Sequence, residues 1–271
     1  MMNDYLAERF GLKGRIALVT GSSRGLGRAM AVALAQAGAD VIVNAREVAS
    51  CAGVTADIGK SGAKTAVLAA DLGDRAQVET LIERAIAWQG RLDILVNNAG
   101  IVRRAPAAQH SDADWDAVLR VNLDGVFTAC RAAGRHMLAR KSGKIINVAS
   151  LLTFSGGITV PGYAASKGAV GQLTKALSNE WAGQGVHVNA IAPGYMRTDN
   201  TAALQADPSR SKDILARIPA GRWGEPGDLE GAVVFLASQA SDYLSGQVRA
   251  GGGGWCGRWR LVAGAGTAGV T

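Results

Sequence analysis

The sequence predicts an α/β protein built on a single doubly wound parallel sheet with helices on both faces. Short runs that are apolar throughout alternate with longer segments of helical period, which is the pattern of parallel strands buried between two layers of helices. The 271 residues suffice for one large domain. No internal repeat or interdomain linker divides them.

Each element follows from its own local pattern. The runs expected to be strands are short and rich in aliphatic or β-branched residues, and they cover residues 16–20, 41–43, 66–70, 94–97, 145–148 and 186–191. The segments expected to be helices carry apolar residues at spacings of three and four, and they cover residues 25–37, 48–61, 75–88, 114–137, 163–182 and 226–238. Because an apolar run alone does not distinguish a strand from a buried piece of helix, the alternation of the two patterns decides.

Composition argues against several functional classes. The net charge is +7, but the basic residues are dispersed and form no stripe interleaved with aromatics, so no nucleic-acid partner is expected. No segment approaches about 18 uninterrupted apolar residues, so we expect no membrane partner and a cytoplasmic location. The three cysteines and three histidines match no ligand spacing, so no metal is expected. His187 falls within an expected buried strand, where packing is the expected role.

A glycine-rich turn, residues 20–27, joins the first expected strand to the first expected helix. Gly21 allows a sharp turn, and Gly25 and Gly27 allow a pyrophosphate to approach the backbone at the positive end of the helix. Glycines also serve plain strand-to-helix corners, but the position at the first strand–helix junction favours a dinucleotide site. The expected cofactor contacts in this turn are Gly21, Ser23, Arg24, Gly25, Leu26 and Gly27.

Further small and polar residues follow the third, fourth and sixth strands. Since the carboxyl ends of parallel strands meet at one edge of a sheet, these residues are expected to line the same crevice. A carboxylate there could accept a hydrogen bond from an adenine amino group. The expected contacts are Asp71, Leu72, Asn98, Ala99, Gly100, Pro193, Gly194, Met196 and Thr198.

A tyrosine and a lysine one helical turn apart indicate acid–base chemistry. Tyr163 and Lys167 are i,i+4 neighbours at the start of an expected helix. A tyrosine with a pKa of about 10 is a poor acid–base group near neutrality, and a nearby ammonium would lower that pKa. Such pairs also occur on exposed helix faces, but Ser150 ends a strand region thirteen residues earlier and could hydrogen-bond the same carbonyl oxygen.

Taken together, the motifs T-G-S-S-R-G-L-G, N-N-A-G, V-N-L-D-G and Y-A-A-S-K resemble the short-chain dehydrogenase/reductase family over roughly residues 12–248. The resemblance implies a Rossmann-like fold, hydride transfer with NAD(P)H and a homotetramer. It also implies roles for four residues. Ser150 would polarise a substrate carbonyl and Tyr163 would donate the proton. Lys167 would hold the nicotinamide ribose and lower the tyrosine pKa, and Asn122 would support a proton-relay water.

Several longer stretches are similar to the sugar-acid dehydrogenases of that family, which act on 2-deoxy-gluconate or 2-keto-3-deoxygluconate, and to related 4-deoxy-5-keto uronate reductases. Among them are I-L-V-N-N-A-G-I-V-R-R and R-I-P-A-G-R-W-G-E-P-G-D-L. The expected substrate is therefore a keto sugar acid. Arg103 or Arg104 could pair with its carboxylate beside Ser150, although a surface or subunit role suits an arginine pair equally well.

The choice between NADH and NADPH depends on the residues after the second strand, where NAD enzymes often carry an acid. Here the stretch is Asn44-Ala45-Arg46-Glu47. Arg46, with Arg24 in the glycine turn, suits a 2′-phosphate, whereas Glu47 would oppose one. Because the sugar-acid dehydrogenases commonly use NAD, we favour NADH by a small margin, with NADPH as the alternative.

Two rival functions remain open at this point. A 3-oxoacyl thioester reductase would share the same chemistry and would need a surface for an acidic carrier protein. A non-catalytic, nucleotide-sensing module would share the fold, but it need not keep Ser150, Tyr163 and Lys167 together.

The carboxyl-terminal residues depart from the family pattern. The family usually ends on an apolar strand followed by Val-Asp-Gly-Gly, whereas residues 251–254 here are all glycine and the remainder is mostly small. We therefore expect a cofactor-binding and catalytic domain over residues 1–248 and an atypical glycine-rich tail over residues 249–271. A change of reading frame or a cloning remnant would explain such a tail, and the last strand is in doubt.

Overall fold

A computed structural model describes residues 2–257 of the chain. Its strands are β1 (Ile16–Val19), β2 (Asp40–Ala45), β3 (Thr65–Ala69), β4 (Ile94–Asn97), β5 (Gly143–Val148), β6 (Val186–Pro193) and β7 (Val248–Gly251). Its α-helices are α1 (Met2–Phe10), α2 (Gly25–Gln36), α3 (Ala52–Gly59), α4 (Arg75–Gln89), α5 (Asp112–Leu119), α6 (Gly125–Ala139), α7 (Pro161–Trp181), α8 (Ala202–Ala206), α9 (Pro208–Leu215) and α10 (Glu230–Ala237).

The strands form one parallel sheet in the order β3-β2-β1-β4-β5-β6-β7. The chain builds outward from β1 to β3, then returns to β4 on the other side of β1. The strand order therefore reverses between β1 and β4, and open α/β sheets bind ligands outside the carboxyl ends of the strands at such a reversal. The predicted doubly wound parallel sheet is confirmed.

Both faces of the sheet are covered, which explains why the strands are apolar throughout. Leu18 faces a core formed with α4, α6 and α7, whereas its neighbours Ala17 and Val19 face a core formed with α2, α3 and α10. Successive side chains of a strand point to opposite faces, so a strand that is buried on both sides cannot alternate apolar and polar residues. No helix among residues 2–257 is long and apolar enough to cross a bilayer.

The predicted elements are all present, with local differences. The single helix expected over residues 114–137 is α5 and α6 joined by a π-helical turn, Arg120–Asp124. Short 3-10 turns, Val48–Cys51 and Pro226–Leu229, precede α3 and α10. The sequence analysis missed α1, α8, α9 and β7, because these segments are short or carry weak periodicity.

The last strand is formed despite its unusual sequence. β7 pairs in parallel with β6, from Val248 beside Ala190 to Gly251 beside Pro193. The boundary expected after Val248 thus falls at the first residue of β7, and the doubt about this strand is removed. Trp255 also packs on Tyr195, with 4.8 Å between ring centroids. Residues 249–257 therefore continue the domain, while residues 258–271 of the expected tail lie outside the described residues.

Candidate active site

The loops after β1 and β4 are joined at the point where the strand order reverses. The hydroxyl of Thr20 accepts hydrogen bonds from the backbone amides of Asn98 and Ala99, at 3.0 and 3.1 Å. The side-chain amide of Asn98 donates in return to the carbonyls of Thr20 and Gly21, at 3.0 and 2.9 Å. This network fixes the glycine turn beside the end of β4, and the nucleotide contacts expected of Asn98 and Ala99 stay a prediction.

The glycine turn requires glycine for steric reasons. Gly21 and Gly25 have φ angles of +60° and +55°, which residues with a Cβ rarely adopt. At Gly27 a Cβ would stand 2.3 Å from the carbonyl oxygen of Gly21 and 2.4 Å from the side-chain nitrogen of Asn98. Neither group can retreat without breaking the loop network, so the turn leaves its backbone open to a ligand.

The amino terminus of α2 is available to an anion. Its N-cap residue, Arg24, makes no side-chain hydrogen bond to the backbone of the first turn. By contrast, the Asp74 side chain caps α4 by accepting hydrogen bonds from the Ala76 and Gln77 amides. Uncapped helix amides bind phosphate groups readily. Together with the open glycine turn, they fit the pyrophosphate of a dinucleotide.

The other expected cofactor contacts differ in how they face the crevice. Asp71 is exposed, and its carboxylate accepts a hydrogen bond from the Gly73 amide at 2.9 Å, while Leu72 is buried in the core. Thr198 lies beside Gly25, since a Cβ on that glycine would be 3.7 Å from the Thr198 methyl group. This contact brings the loop after β6 up to the glycine turn.

Two of the contacts expected after β6 have structural explanations of their own. Met196 is buried, and a Cβ on Gly224 would lie 2.4 Å from its sulfur, so its side chain packs in the protein interior. Gly194 is needed where the loop crosses the end of β7, because a Cβ there would meet Gly252 Cα at 2.5 Å. Pro193, just before it, ends β6. For Met196 and Gly194, packing accounts for the residue type without a nucleotide.

The start of α7 brings together the residues expected to be catalytic. Pro161 begins the helix, a position that suits its fixed φ angle and missing amide. Tyr163 is half-buried, and its phenol is hydrogen-bonded to Ser150. The Ser150 hydroxyl also accepts a hydrogen bond from the Leu152 amide at 3.1 Å. The phenol therefore lies at the carboxyl edge of the sheet rather than on an exposed helix face.

The pKa of Tyr163 is raised above its usual value of 10, mainly because burial disfavours the phenolate. The hydrogen bond with Ser150 and the positive charge of Arg104 oppose that rise. The expected effect of Lys167 on this pKa stays a prediction. The Lys167 ammonium lies 5.8 Å from the centroid of the Tyr163 ring and is directed to a backbone carbonyl instead.

Lys167 is held inside the protein by the sheet. Its ammonium is almost fully buried and donates a hydrogen bond of 2.5 Å to the carbonyl of Val148 in β5. Burial lowers its pKa from 10.5 to about 8, because no carboxylate compensates for the lost hydration. Gly100 lies close to it, since a Cβ on that glycine would be 3.8 Å from the ammonium nitrogen.

Asn122 lies in the π-helical turn between α5 and α6, a type of distortion that is frequent at functional sites. Its side chain is fully engaged. The oxygen accepts from the Ile101 amide at 2.8 Å, and the nitrogen donates to the Ile101 carbonyl at 2.9 Å and to the Ser166 hydroxyl at 3.2 Å. These bonds fix the orientation of Asn122, while its proposed support of a relay water stays a prediction.

The two arginines considered as ligands of the substrate carboxylate differ in the groups they act on. Arg103 forms an ion pair with Asp114, with 3.2 Å between the charged groups. The positive charge of Arg104 contributes to lowering the pKa of Tyr163, so this arginine acts electrostatically on the phenol. The next residue, Ala105, donates a backbone hydrogen bond of 3.0 Å to the carbonyl of Thr159. That bond ties the arginine loop to the segment between Ser150 and Tyr163.

Sequence reasoning missed four residues that shape the site. Thr20 joins the two nucleotide loops, and Thr153 donates to the Lys167 carbonyl at 2.8 Å while accepting from the Ser150 amide at 3.3 Å. Thr159 has a φ of +62°, an outlier for a β-branched residue. Asp199 pairs with Arg24 at 3.0 Å. The position of Thr20 directly after β1 was the available signal for that residue, but its partners are distant in sequence.

Comparisons with known proteins agree with this geometry. The family model for short-chain dehydrogenases matches residues 15–209. A "2-dehydro-3-deoxy-D-gluconate 5-dehydrogenase" of Pseudoalteromonas atlantica is 54% identical over 93% of this chain and 100% of its own length. An Escherichia coli protein of the same name is 49% identical over 92% and 98%. A crystal structure of gluconate 5-dehydrogenase from Burkholderia cenocepacia, in complex with NADP and tartrate, has a TM-score of 0.90 and 44% identity, covering 93% and 99% of the two chains.

The chain therefore belongs to the short-chain dehydrogenase family. It is an NAD(P)-dependent dehydrogenase, as the sequence predicted. The margin in favour of NADH finds no support, because the residue directly after β2 is Arg46 and the Burkholderia cenocepacia structure holds NADP.

Proposed function

We propose that the enzyme transfers a hydride between NADPH and the keto group of a deoxy sugar acid, in the manner of a 2-dehydro-3-deoxy-D-gluconate 5-dehydrogenase. The observation that carries this proposal is the meeting of Ser150, Tyr163 and Lys167 at the carboxyl edge of the sheet, with the positive charge of Arg104 acting on the phenol. A guanidinium there can bind the carboxylate of a substrate whose carbonyl meets the phenol. The names of the most similar relatives support the same substrate class.

In this proposal the bound nucleotide supplies or accepts the hydride, and the protein transfers the proton and positions the substrate. The raised pKa of Tyr163 keeps the phenol protonated near neutral pH, so it can donate a proton to the carbonyl oxygen as the hydride arrives. Ser150 hydrogen-bonds the same oxygen and polarises it. Lys167, anchored at Val148, holds the nicotinamide ribose.

The preference for NADPH rests on the charges around the adenosine end of the crevice. Asn44, in the strand before the expected acid position, is fully buried. Its side chain accepts a hydrogen bond from the Gly21 amide and donates one to the Leu68 carbonyl. Arg46 is an exposed cation two residues after Asn44, and Arg24 is exposed in the glycine turn, where it pairs with Asp199. A 2′-phosphate would accept charge-assisted hydrogen bonds from these two arginines. The ribose 2′-hydroxyl of NADH would lack the acceptor that a carboxylate provides, because an arginine side chain accepts no hydrogen bond.

The test is a panel of keto-deoxy sugar acids assayed with NADPH and NADH, with acetoacetyl thioester as the comparison substrate. We expect kcat/KM to be highest for a sugar acid with NADPH. Arg46→Gln and Arg24→Gln should lower kcat/KM for NADPH by about 10- to 100-fold and leave NADH largely unaffected, as expected for losing one charge-assisted contact. A higher kcat/KM for the thioester would refute the sugar-acid assignment and support the carrier-protein alternative.

The assembled side chains of Ser150, Tyr163 and Lys167 favour an enzyme over a nucleotide-sensing module. A protein that only sensed the nucleotide would not need a serine hydroxyl on the phenol. Measurable turnover of any substrate in the panel would exclude that alternative.

We also propose that the chain assembles as a homotetramer and works in the cytoplasm. Trp115 and Phe127 expose large apolar surfaces on the consecutive helices α5 and α6, at 38% and 41% of their full accessibility, and a second copy would cover them. The free thiols Cys51 and Cys130 suit a reducing compartment. Light scattering on the wild type and on Phe127→Glu tests the assembly: we expect a tetramer that dissociates in the variant.

A further inference from the structure

A cavity of about 270 Å³ lies at the edge of the sheet opposite the active site. It lies where the strands begin, and it is lined by the turn before β1, the residue before β4, the starts of β5 and β6, and the end of α10 with the turn that follows. Its volume is below the range for drug-sized ligands. We call it the amino-edge cavity. Its charged and titratable lining residues are Arg15, Asp93, Lys141, Lys144, His187 and Asp242.

Three guanidinium groups share a single carboxylate at this cavity. Asp93 is buried, and its carboxylate lies 3.0 Å from Arg91 and 2.9 Å from Arg140. The guanidinium of Arg15 is 3.9 Å from the same carboxylate and has no other acidic partner among the described residues. Since one carboxylate balances one guanidinium, two positive charges remain uncompensated.

The lysines add to this excess. Lys144 is balanced by Asp242, with 2.8 Å between the charged groups. Lys141, at the turn before β5, has no side-chain partner within residues 2–257, although it lines the cavity. Its φ of +53° is unusual for a residue with a side chain. Three cations and two carboxylates line the cavity, and Arg91 and Arg140 reach Asp93 from outside the lining, which leaves three positive charges in excess in and around the cavity.

His187 contributes a polar atom that lacks a partner. The β5–β6 register sets it beside Lys144, and its Nδ1 is buried without a hydrogen bond in the part of the chain that the structure describes. The sequence predicted a packing role for this residue, but the half-buried ring lines the cavity. A buried ring nitrogen without a partner is costly, and an oxygen with an exchangeable proton would satisfy it in either tautomer.

We propose that the amino-edge cavity binds a small oxyanion with two or more negative charges, of the phosphate or phosphomonoester type. Such an ion matches both the charge excess and the modest volume. Its oxygens would accept charge-assisted hydrogen bonds from Arg15 and Lys141. The nucleotide crevice is at the opposite edge of the sheet, so the two anion sites are separate.

The experiment titrates inorganic phosphate, and separately glycerol phosphate, into enzyme that is saturated with NADP⁺. The nucleotide fills the glycine turn, so that phosphate binding there does not contribute. Calorimetry and thermal unfolding are measured against sodium chloride at equal ionic strength. We expect saturable binding at one site per chain with a rise in Tm. Tighter binding of glycerol phosphate identifies a phosphomonoester as the occupant, and tighter binding of phosphate identifies the free ion.

Variants locate the site. Arg15→Gln with Lys141→Gln should weaken binding by about tenfold or more, because two charge-assisted contacts are removed. The matched control, Arg210→Gln with Lys212→Gln on the exposed face of α9, should bind as the wild type does. Lys141→Gln alone, at an exposed position, provides the test if the double variant is unstable. The proposal is overturned if neither anion binds saturably to the NADP⁺ complex, or if the cavity variants bind as tightly as the control.

Discussion

The ammonium nitrogen of Lys167 lies 5.8 Å from the ring centroid of Tyr163 and donates its 2.5 Å hydrogen bond to the sheet, at the carbonyl of Val148. The lysine is therefore fixed by β5 and not by the tyrosine. Because it is buried without a carboxylate, the folded protein carries the cost of desolvating a cation at this point. That cost has measurable consequences for stability and for pH dependence.

Replacement of Lys167 by methionine should stabilise the protein and abolish its activity. The pKa is about 8 in the folded state against 10.5 for an ordinary lysine, so the unfolded chain binds more protons between these values and stability rises with pH across that window. The penalty is fully present below pH 8. We expect Lys167→Met to gain about 1–3 kcal/mol in the free energy of unfolding at pH 7, with the gain shrinking towards pH 10.5. Urea unfolding at several pH values measures it.

The control for this prediction is on the same helix. Lys175 is exposed and contacts only the side chain of Gln172, at 2.8 Å. Lys175→Met should change stability by less than about 0.5 kcal/mol and leave turnover intact. A loss of stability in Lys167→Met would mean that the hydrogen bond to Val148 outweighs desolvation.

The same pKa should limit the pH profile of catalysis. Free-enzyme groups govern kcat/KM, and above about pH 8 Lys167 loses the charge with which it holds the ribose. We expect kcat/KM for the reduced nucleotide to fall above this pH. In Lys167→Arg, whose side chain stays charged, activity should be low but this alkaline limb should vanish. An alkaline limb that persists at the same pH in the arginine variant would assign it to another group.

Tyr163→Phe should remove the proton donor while leaving the fold unchanged. We expect kcat to fall by about 10²–10⁴-fold, the usual contribution of a positioned acid, while nucleotide affinity changes little because the loops that hold the nucleotide lie elsewhere. Steady-state kinetics and fluorescence titration of NADPH separate the two effects. Turnover equal to that of the wild type would disprove the assigned role.

Local patterns in the sequence predicted the sheet, the glycine turn and the Tyr163–Lys167 pair, because each depends on spacing within a few residues. Features set by distant partners could not be predicted in this way. The π-helical turn at Asn122 depends on its contacts with Ile101 and Ser166. The raised pKa of Tyr163 depends on burial, which spacing does not reveal.

The end of the chain shows the same limit. Residues 248–251 carry little strand propensity, since two of them are small and one is charged. They still form β7, because β6 offers an open edge for pairing. Tertiary context thus overrides local propensity here.

The choice between Arg103 and Arg104 yields the last prediction, because only the folded structure distinguishes them. Arg103 forms an exposed ion pair with Asp114, which contributes little in water, whereas the charge of Arg104 acts on the Tyr163 phenol. We expect Arg104→Gln to raise KM for an acidic sugar substrate by about 10- to 100-fold, equivalent to one charge-assisted hydrogen bond. Arg103→Gln should stay within about twofold of the wild type. A neutral substrate with the same keto group should be insensitive to both changes, because it has no carboxylate to lose. Equal effects of the two variants on the acid would show instead that Arg104 acts by general attraction and does not bind the carboxylate directly.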